Sequence, residues 1–240
     1  MPPRKTNNKK GQAKEAGPSS APIPSPAPSL NFPEISEKDW MEVETFLEDQ
    51  IILIKNFLSA AECKAYAQFI DNLPLELTPP KKRGEASRVN YRYSTTSPDF
   101  AKRLHEVLTP HLSPFPHPAR GGVPRLPRSM NSNIRMYKYT QGQYFGQHYD
   151  DSVKDSVTGD KSEWTLLVYI TGAEDGVQGG ETIFQLEEGE GKRRTTRPLV
   201  PPLSRGMALL HRHGANCLLH EGAPVVKGTK YVLRSDLMFA

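Results

Sequence analysis

Asn133-Ile-Arg-Met-Tyr-Lys-Tyr139, the break Thr140-Gln-Gly142, and then Gln143-Tyr-Phe-Gly-Gln-His-Tyr-Asp150 form the stretch that decides the fold. The first segment alternates as a half-buried strand does, the break carries a turn signal, and the second resumes the extended pattern. Residues i and i+2 of a strand share a face, so His148 and Asp150 are read as pointing the same way. His220 follows far downstream. A His-x-Asp pair with a distant His is the pattern of a 2-His-1-carboxylate facial triad, which grips one face of an octahedral Fe(II) and leaves three positions open.

The later segments continue in β style. Trp164-Thr-Leu-Leu-Val-Tyr-Ile170 reads as a buried strand; Gly179-Gly-Glu-Thr-Ile-Phe184, Gly206-Met-Ala-Leu-Leu210 and a last extended run from His220 to Phe239 follow. Three signatures stand in order: Arg-x-Tyr-x-Tyr-x-x-Gly-x-x-Phe-x-x-His-x-Asp at 135–150, Gly-Gly-Glu-Thr-x-Phe at 179–184, and His-x-Gly-x-Pro-Val-x-x-Gly-x-Lys at 220–230. Together they resemble the 2-oxoglutarate/Fe(II)-dependent dioxygenases, and within them the catalytic domain of prolyl 4-hydroxylases. The resemblance is strong over residues 130–240 and loose over 50–110. It implies a mainly β double-stranded β-helix, or jelly roll, with supporting helices. It also implies hydroxylation of an unactivated C–H, foremost a prolyl residue in a peptide or protein. That reaction is coupled to oxidative decarboxylation of 2-oxoglutarate to succinate and CO2, with O2 as co-substrate and ascorbate as reductant. The metal ligands would be His148, Asp150 and His220, and no further acid–base residue is called for.

A 2-oxoglutarate chelated to iron through its 1-carboxylate and 2-oxo oxygens turns its C5 carboxylate into the barrel, and a buried carboxylate needs a cation. Lys230, ten residues after His220, is the expected partner. Tyr139, nine residues before His148, is expected to add its phenolic OH. The resemblance gives both residues this role and extends it to Thr182. Lysine here matches the prolyl 4-hydroxylases, whereas the nucleic-acid demethylating branch uses arginine; Arg234 is the minor alternative. His211 and His213 compete with His220, but the residues ten further on are Glu221 and Ala223, neither able to pair a carboxylate. His105, His111 and His117 read as surface or loop histidines, and Asp151 points away from Asp150 by alternation.

Ser59-Ala-Ala-Glu62 reads as a capping box opening one helix, and Ser97-Pro-Asp99 as the start of a second. Between them lie a basic, glycine-containing segment, Lys81-Lys-Arg-Gly84, and the run Arg88-Val-Asn-Tyr-Arg-Tyr93. Arg88, Asn90 and Arg92 alternate on one strand face and are the expected substrate contacts, under a lid-like loop. The proline-rich stretch Pro110–Pro127 reads as a long connection near the mouth of the site.

Residues 1–33 hold Pro, Ser, Ala, Lys and Asn with little apolar content, and are read as a disordered basic tail. They carry five basic residues against Glu15, so the whole net charge of +4 resides there and residues 34–240 balance at 26 against 26. The basicity therefore supplies no argument for nucleic-acid binding. The expected division is a support and substrate-loop region over 34–128 and a dioxygenase core over 129–240, in one folded unit. No apolar run has membrane-spanning length, and the start lacks the apolar core of a secretory signal. Two cysteines, Cys63 and Cys217, read as reduced thiols. The expectation is cytoplasm or nucleus, with the oligomeric state open. Two rival functions remain: the same mechanism on a small molecule or nucleobase, and a non-catalytic jelly-roll binding module.

Overall fold

Alternation along the extended segments builds a two-layer β structure in the computed structural model, which describes residues 30–116, 121–155, 158–188 and 195–240. The strands begin with β1 (Glu42–Leu47), β2 (Ile51–Lys55), β3 (Glu76–Leu77), β4 (Arg88–Val89), β5 (Tyr91–Thr96), β6 (Phe115–Pro116), β7 (Pro124–Arg125), β8 (Ser129–Met130) and β9 (Asn133–Tyr139). They continue with β10 (Tyr144–His148), β11 (Lys161–Tyr169), β12 (Gln178–Gly179), β13 (Thr182–Glu188), β14 (Thr195–Leu199), β15 (Ala208–Arg212), β16 (His220–Gly222), β17 (Val225–Lys227) and β18 (Lys230–Phe239). Two helices, α1 (Ala60–Asp71) and α2 (Pro98–Leu108), interrupt the first part.

A large sheet runs β1-β2-β15-β11-β18-β9-β5-β3, with β8 beside β18, and a smaller one runs β14-β13-β16-β10-β4. Every strand pair is antiparallel, so short turns suffice and each sheet can devote one face to a shared interior. This is the double-stranded β-helix.

Strand parity divides the apolar residues into two layers. Ile54, Trp164, Leu166, Val168, Leu210 and Leu233 face the helices, where they meet Tyr66, Ile70, Phe100 and Leu104. Their neighbours Leu53, Tyr169, Leu209 and Val232 turn inward, toward Phe184 of the small sheet. The helices carry the signals that start them. Ser59 accepts from the Glu62 backbone N–H while Glu62 accepts from that of Ser59, closing the capping box of α1. Ser97 occupies the cap position of α2, but its side chain makes no cap hydrogen bond; Pro98 and Asp99 start that helix instead.

Two boundaries differ from the sequence reading. The last residues of the expected tail belong to the packed structure. Phe32 stacks on Phe100 with ring centroids 3.9 Å apart, and the Pro33 carbonyl accepts from the Tyr66 hydroxyl at 2.7 Å. Leu30 packs on the same cluster. These contacts lay hidden in proline-rich composition. The described part of the Pro110–Pro127 stretch is not at the mouth of the pocket between the sheets. Phe115 packs on Trp164 and Phe239, on the helix-facing side of the large sheet, and β6 pairs with β7. His117 lies outside the described residues. Both cysteines are free thiols, and among the described residues no helix is long and apolar enough to cross a membrane.

Candidate active site

Register brings the distant histidine to the near one. In the β10–β16 pair Phe145 faces Gly222, whereas His148 faces His220, so β10 carries one extra residue between them. Without that bulge Gln147 would face His220 and His148 would turn to the opposite side. Gly146 sits in the bulge with its N–H donating to the Ser87 carbonyl at 2.7 Å. A Cβ there would stand 3.0 Å from that oxygen, so glycine is what the close approach admits. Asp150 lies just past the end of β10 rather than on it. Its carbonyl accepts from Gly214 N–H at 2.8 Å, and its own N–H donates to Cys217 Sγ at 3.2 Å.

His148, Asp150 and His220 are gathered with their ligand-capable atoms within 4.8 Å of one another. His148 Nε2 is 3.7 Å from one carboxylate oxygen of Asp150, and His220 Nε2 is 3.8 Å from the other. Both rings are fixed in the same sense: Nδ1 of His148 donates to the Gly146 carbonyl and Nδ1 of His220 to the Leu218 carbonyl, each at 2.9 Å. That leaves both Nε2 lone pairs turned toward Asp150. Phe145 stacks on His148 at 3.6 Å and Phe184 on His220 at 5.4 Å. Burial brings His148 down to about 4 and lowers His220 as well, so both imidazoles are neutral near pH 7. Burial also acts to raise the Asp150 carboxyl, but Arg234 foremost, then the three nearby histidines, holds it well below the usual carboxylate range. The Arg234 guanidinium donates to Asp150 at 3.0 Å.

A chain of hydroxyls and an imidazole backs the carboxylate. Thr165 Oγ1 donates to Asp150 at 3.0 Å, which leaves it to accept from His213 Nδ1 at 2.9 Å. His213 Nε2 then accepts from Ser162 Oγ at 2.9 Å, and Ser162 accepts from the Val153 N–H at 2.8 Å. His213 is thus part of the support and not of the gathered trio. His211 was set aside in the sequence, yet it lines the pocket. Its Nδ1 donates to the Arg212 carbonyl at 3.1 Å, while Nε2 is buried without a partner, 3.5 Å from Asp150. His211, Cys217 and His220 make a second cluster of ligand-type atoms. Burial pushes the Cys217 thiol up to about 11, and its Sγ already accepts from the Asp150 N–H.

The other wall of the pocket is built by the β9–β18 register, in which Tyr139 and Lys230 are direct partners. Lys230 is 5% exposed and meets no carboxylate at ion-pair distance among the described residues. Its ammonium donates to the Gly180 carbonyl at 2.6 Å and lies about equally far from the Tyr139 and Tyr169 rings, 5.5 and 5.4 Å. Burial pulls it down to about 8, with Glu181 acting weakly the other way. Gly180 adopts φ +77°, and a Cβ there would press on the Lys230 stem at 3.3 Å, which accounts for the second glycine of the Gly-Gly-Glu-Thr signature. Thr182 lines the same pocket with its hydroxyl bonded to Tyr169 at 2.7 Å; Tyr169 was missed in the sequence, where it read as core. Arg234 is on the triad side and pairs with Asp150, so it does not share the Lys230 position.

The expected substrate trio separates. The chain changes sheets at Asn90: Arg88 pairs with Phe145 in the small sheet and Arg92 with Tyr137 in the large one. Asn90 is buried at the crossing, donating to the Tyr91 carbonyl, and faces no groove. Arg88 and Arg92 do line a groove that opens outside the triad, with Lys81, Lys82 and Asp151 along it. His105 donates to the Pro127 carbonyl, away from the pocket.

No family model and no curated protein matches the chain. Solved structures do. A Trichoplax adhaerens prolyl hydroxylase, in complex with a peptide fragment of the hypoxia inducible factor oxygen degradation domain, superposes with a TM-score of 0.53 at 13% identity, over 80% of this chain and 86% of that one. A prolyl-4-hydroxylase of Pseudomonas putida gives 0.51 at 13% identity, over 79% and 93%. The chain has the fold of these prolyl hydroxylases.

Proposed function

We propose that the chain is an Fe(II)- and 2-oxoglutarate-dependent dioxygenase that hydroxylates an unactivated C–H, foremost a prolyl residue in a peptide or protein. The observation that carries this reading is one pocket with two differently prepared ends. At one end two neutral imidazoles turn free Nε2 lone pairs toward an ionised carboxylate that Thr165 and Arg234 hold in place. At the other a buried ammonium meets no anion among the described residues.

The donor set suits a divalent first-row metal: two nitrogens and one carboxylate, leaving room for other ligands. His148, Asp150 and His220 would hold it, and Thr165 with Arg234 would fix the carboxylate. Lys230 suits the far carboxylate of a dicarboxylic 2-oxo acid, with the Tyr139 and Thr182 hydroxyls beside it. When bound, the iron with 2-oxoglutarate and O2 supplies the oxidising power that side chains lack. The chain's own part is to orient the two ligands, to neutralise charge at both ends and to keep water out. Phe145, Leu167, Phe184 and Val232 provide the apolar wall for that last task. Ascorbate would serve as reductant between turnovers.

A peptide substrate is favoured over a small molecule by the open groove beside Arg88 and Arg92, which a compact substrate would not need. The test is iron-dependent conversion of 2-oxoglutarate to succinate by the whole chain, followed by a search for the mass gain of one oxygen in proline-containing peptides. Succinate release without any peptide product would favour a small-molecule or nucleobase substrate. Neither product, with iron bound, would leave a non-catalytic binding module.

A further inference from the structure

Resting on that oxygenase reading, we propose that the outer groove selects a peptide segment bearing an anionic side chain, a carboxylate or a phosphate, within a few residues of the oxidised carbon. The floor of the groove is the inner face of β5, β9 and β18. Arg135 and Arg234 are direct cross-strand partners there, and Arg92 stands on the same face one strand over. Like charges set directly opposite on a sheet are destabilising, so a folding role does not account for the row. Asp236 answers part of it, 3.5 Å from Arg234 and 4.0 Å from Arg135, and Asp150 takes the other arm of Arg234.

The remaining cations are unanswered. Lys81, Lys82, Arg88 and Arg92 line the groove, and none meets a carboxylate at ion-pair distance among the described residues. Against them stand Glu85, which accepts from the Lys82 backbone N–H at 2.9 Å, and the exposed Asp151. A local surplus of positive charge with two acids mixed in suits an isolated anion on a peptide. It does not suit a continuous phosphate backbone, which both acids would repel. Phe145 offers no free stacking face for a base, since His148 covers one side and Arg88 lies over the ring at 5.2 Å, and Tyr149 is the exposed aromatic among the described groove residues.

The experiment is fluorescence anisotropy of the whole chain with labelled proline-containing peptides, identical except for flanking Glu, phosphoserine, Gln or Lys, and with a labelled single-stranded oligonucleotide. At low salt the Glu and phosphoserine peptides should bind at least tenfold tighter than the Gln and Lys ones, and the margin should shrink at high salt. The two anionic arms tell carboxylate from phosphate. Combining Arg92→Glu with Lys82→Glu should erase the margin, while Arg92→Lys should keep most of it. Thermal unfolding checks the fold, and Arg92→Gln with Lys82→Gln takes the place of the reversed pair if that pair unfolds. Equal binding of all peptides, no peptide binding, a margin that survives charge reversal, or tighter binding of the oligonucleotide would each overturn the proposal. Succinate release by the wild-type chain without peptide is measured alongside. Its absence would sink the oxygenase reading and leave the binding result standing by itself.

Discussion

The two faces of the large sheet are made by the same strands and follow different rules. Toward the helices β11, β15 and β18 present Trp164, Leu166, Leu210 and Leu233, a buried and mostly apolar layer whose unpartnered polar atoms among the described residues are Trp164 Nε1 and, beside it, Arg212 Nε. Toward the small sheet the same strands present Thr165, His211, Lys230 and Arg234, buried or nearly so and polar. Burying such groups costs free energy unless they are paired, and here the pairing is incomplete. Among the described residues His211 Nε2 and Arg234 Nε have no hydrogen-bond partner, and Lys230 has a carbonyl where an anion would suit it. Packing accounts for most of the first face, and the incomplete pairing of the second is what the proposed ligands would complete.

The largest effect should break the two faces apart. His148→Ala, Asp150→Ala or His220→Ala should abolish metal binding and 2-oxoglutarate turnover; the unfolding temperature should stay near that of the parent in the two histidine variants, whereas Asp150→Ala should also lose stability because it strips buried Arg234 of a carboxylate. Leu210→Ala on the helix face should do the opposite. It should cost about 2–5 kcal/mol of stability, with turnover per folded molecule retained. Metal content, succinate release and calorimetry on these four proteins and on His211→Ala decide the matter. A parent-like metal content in His220→Ala, with loss in His211→Ala, would move the distal ligand to β15 of the large sheet.

Much of this was legible in the sequence because strand parity and antiparallel register are short-range rules. Nine residues from Tyr139 to His148 and ten from His220 to Lys230 become cross-strand pairs once β9 meets β18 and β10 meets β16. The bulge that re-aims His148 was invisible, since alternation from His148 to Asp150 reads the same with or without it. Asn90 was misplaced for a related reason: period two assumes one sheet, and the chain leaves one sheet for another at that residue. His211 was weighed as the distal ligand and set aside on its ten-residue offset, which does not tell whether it lines the pocket, and Thr165 was missed because a lone Thr in an apolar strand reads as core. Only the long-range pairing of Thr165 with His211 shows that both face Asp150. Arg234 was placed on the correct face by parity, but its partner could not be read from spacing.

The next effect is at the uncompensated end of the pocket. Lys230→Ala should weaken 2-oxoglutarate by about 3–5 kcal/mol, the usual loss when a buried charge is left without its partner. That is roughly two to three powers of ten in affinity, with metal content unchanged. Lys230→Arg should recover part of it, since the guanidinium is wider and forked. The parent protein carries its own version of this test. Lys230 lies near 8 before any carboxylate arrives, and the charged form is the one that binds. Affinity should therefore be flat below about pH 8 and fall above it, by up to about tenfold per pH unit. Titration calorimetry across that range checks the sign, and an affinity that rises with pH would remove Lys230 as the anchor.

A smaller loss is expected behind the carboxylate. Thr165→Val keeps the shape but deletes the hydroxyl that donates to Asp150 and accepts from His213. Outer partners of this kind typically change metal affinity by about 10–100-fold. Thr165→Ser should restore most of the affinity. Co(II) binding followed by its absorption separates this from a general loss of folding. An unchanged spectrum and affinity in Thr165→Val would make the chain of hydroxyls a packing device only.

The smallest effect concerns where the fold begins. Composition groups residues 1–33 together, but Phe32 stacks on Phe100 and lies 5.3 Å from Phe69, while the Pro33 carbonyl ties down Tyr66. Deleting residues 1–29 should leave stability within about 0.5 kcal/mol of the parent, as expected for polar sequence that cannot join a core. Deleting 1–33 should cost about 1–3 kcal/mol, from one aromatic stack, its buried area and the acceptor lost by a buried tyrosine. Both truncations leave the triad and Lys230 untouched, so turnover at low temperature should match the parent in each. Denaturant unfolding of the two proteins side by side measures the difference. Equal midpoints would return the boundary to residue 34, and a loss already present in the shorter deletion would move it toward the N-terminus.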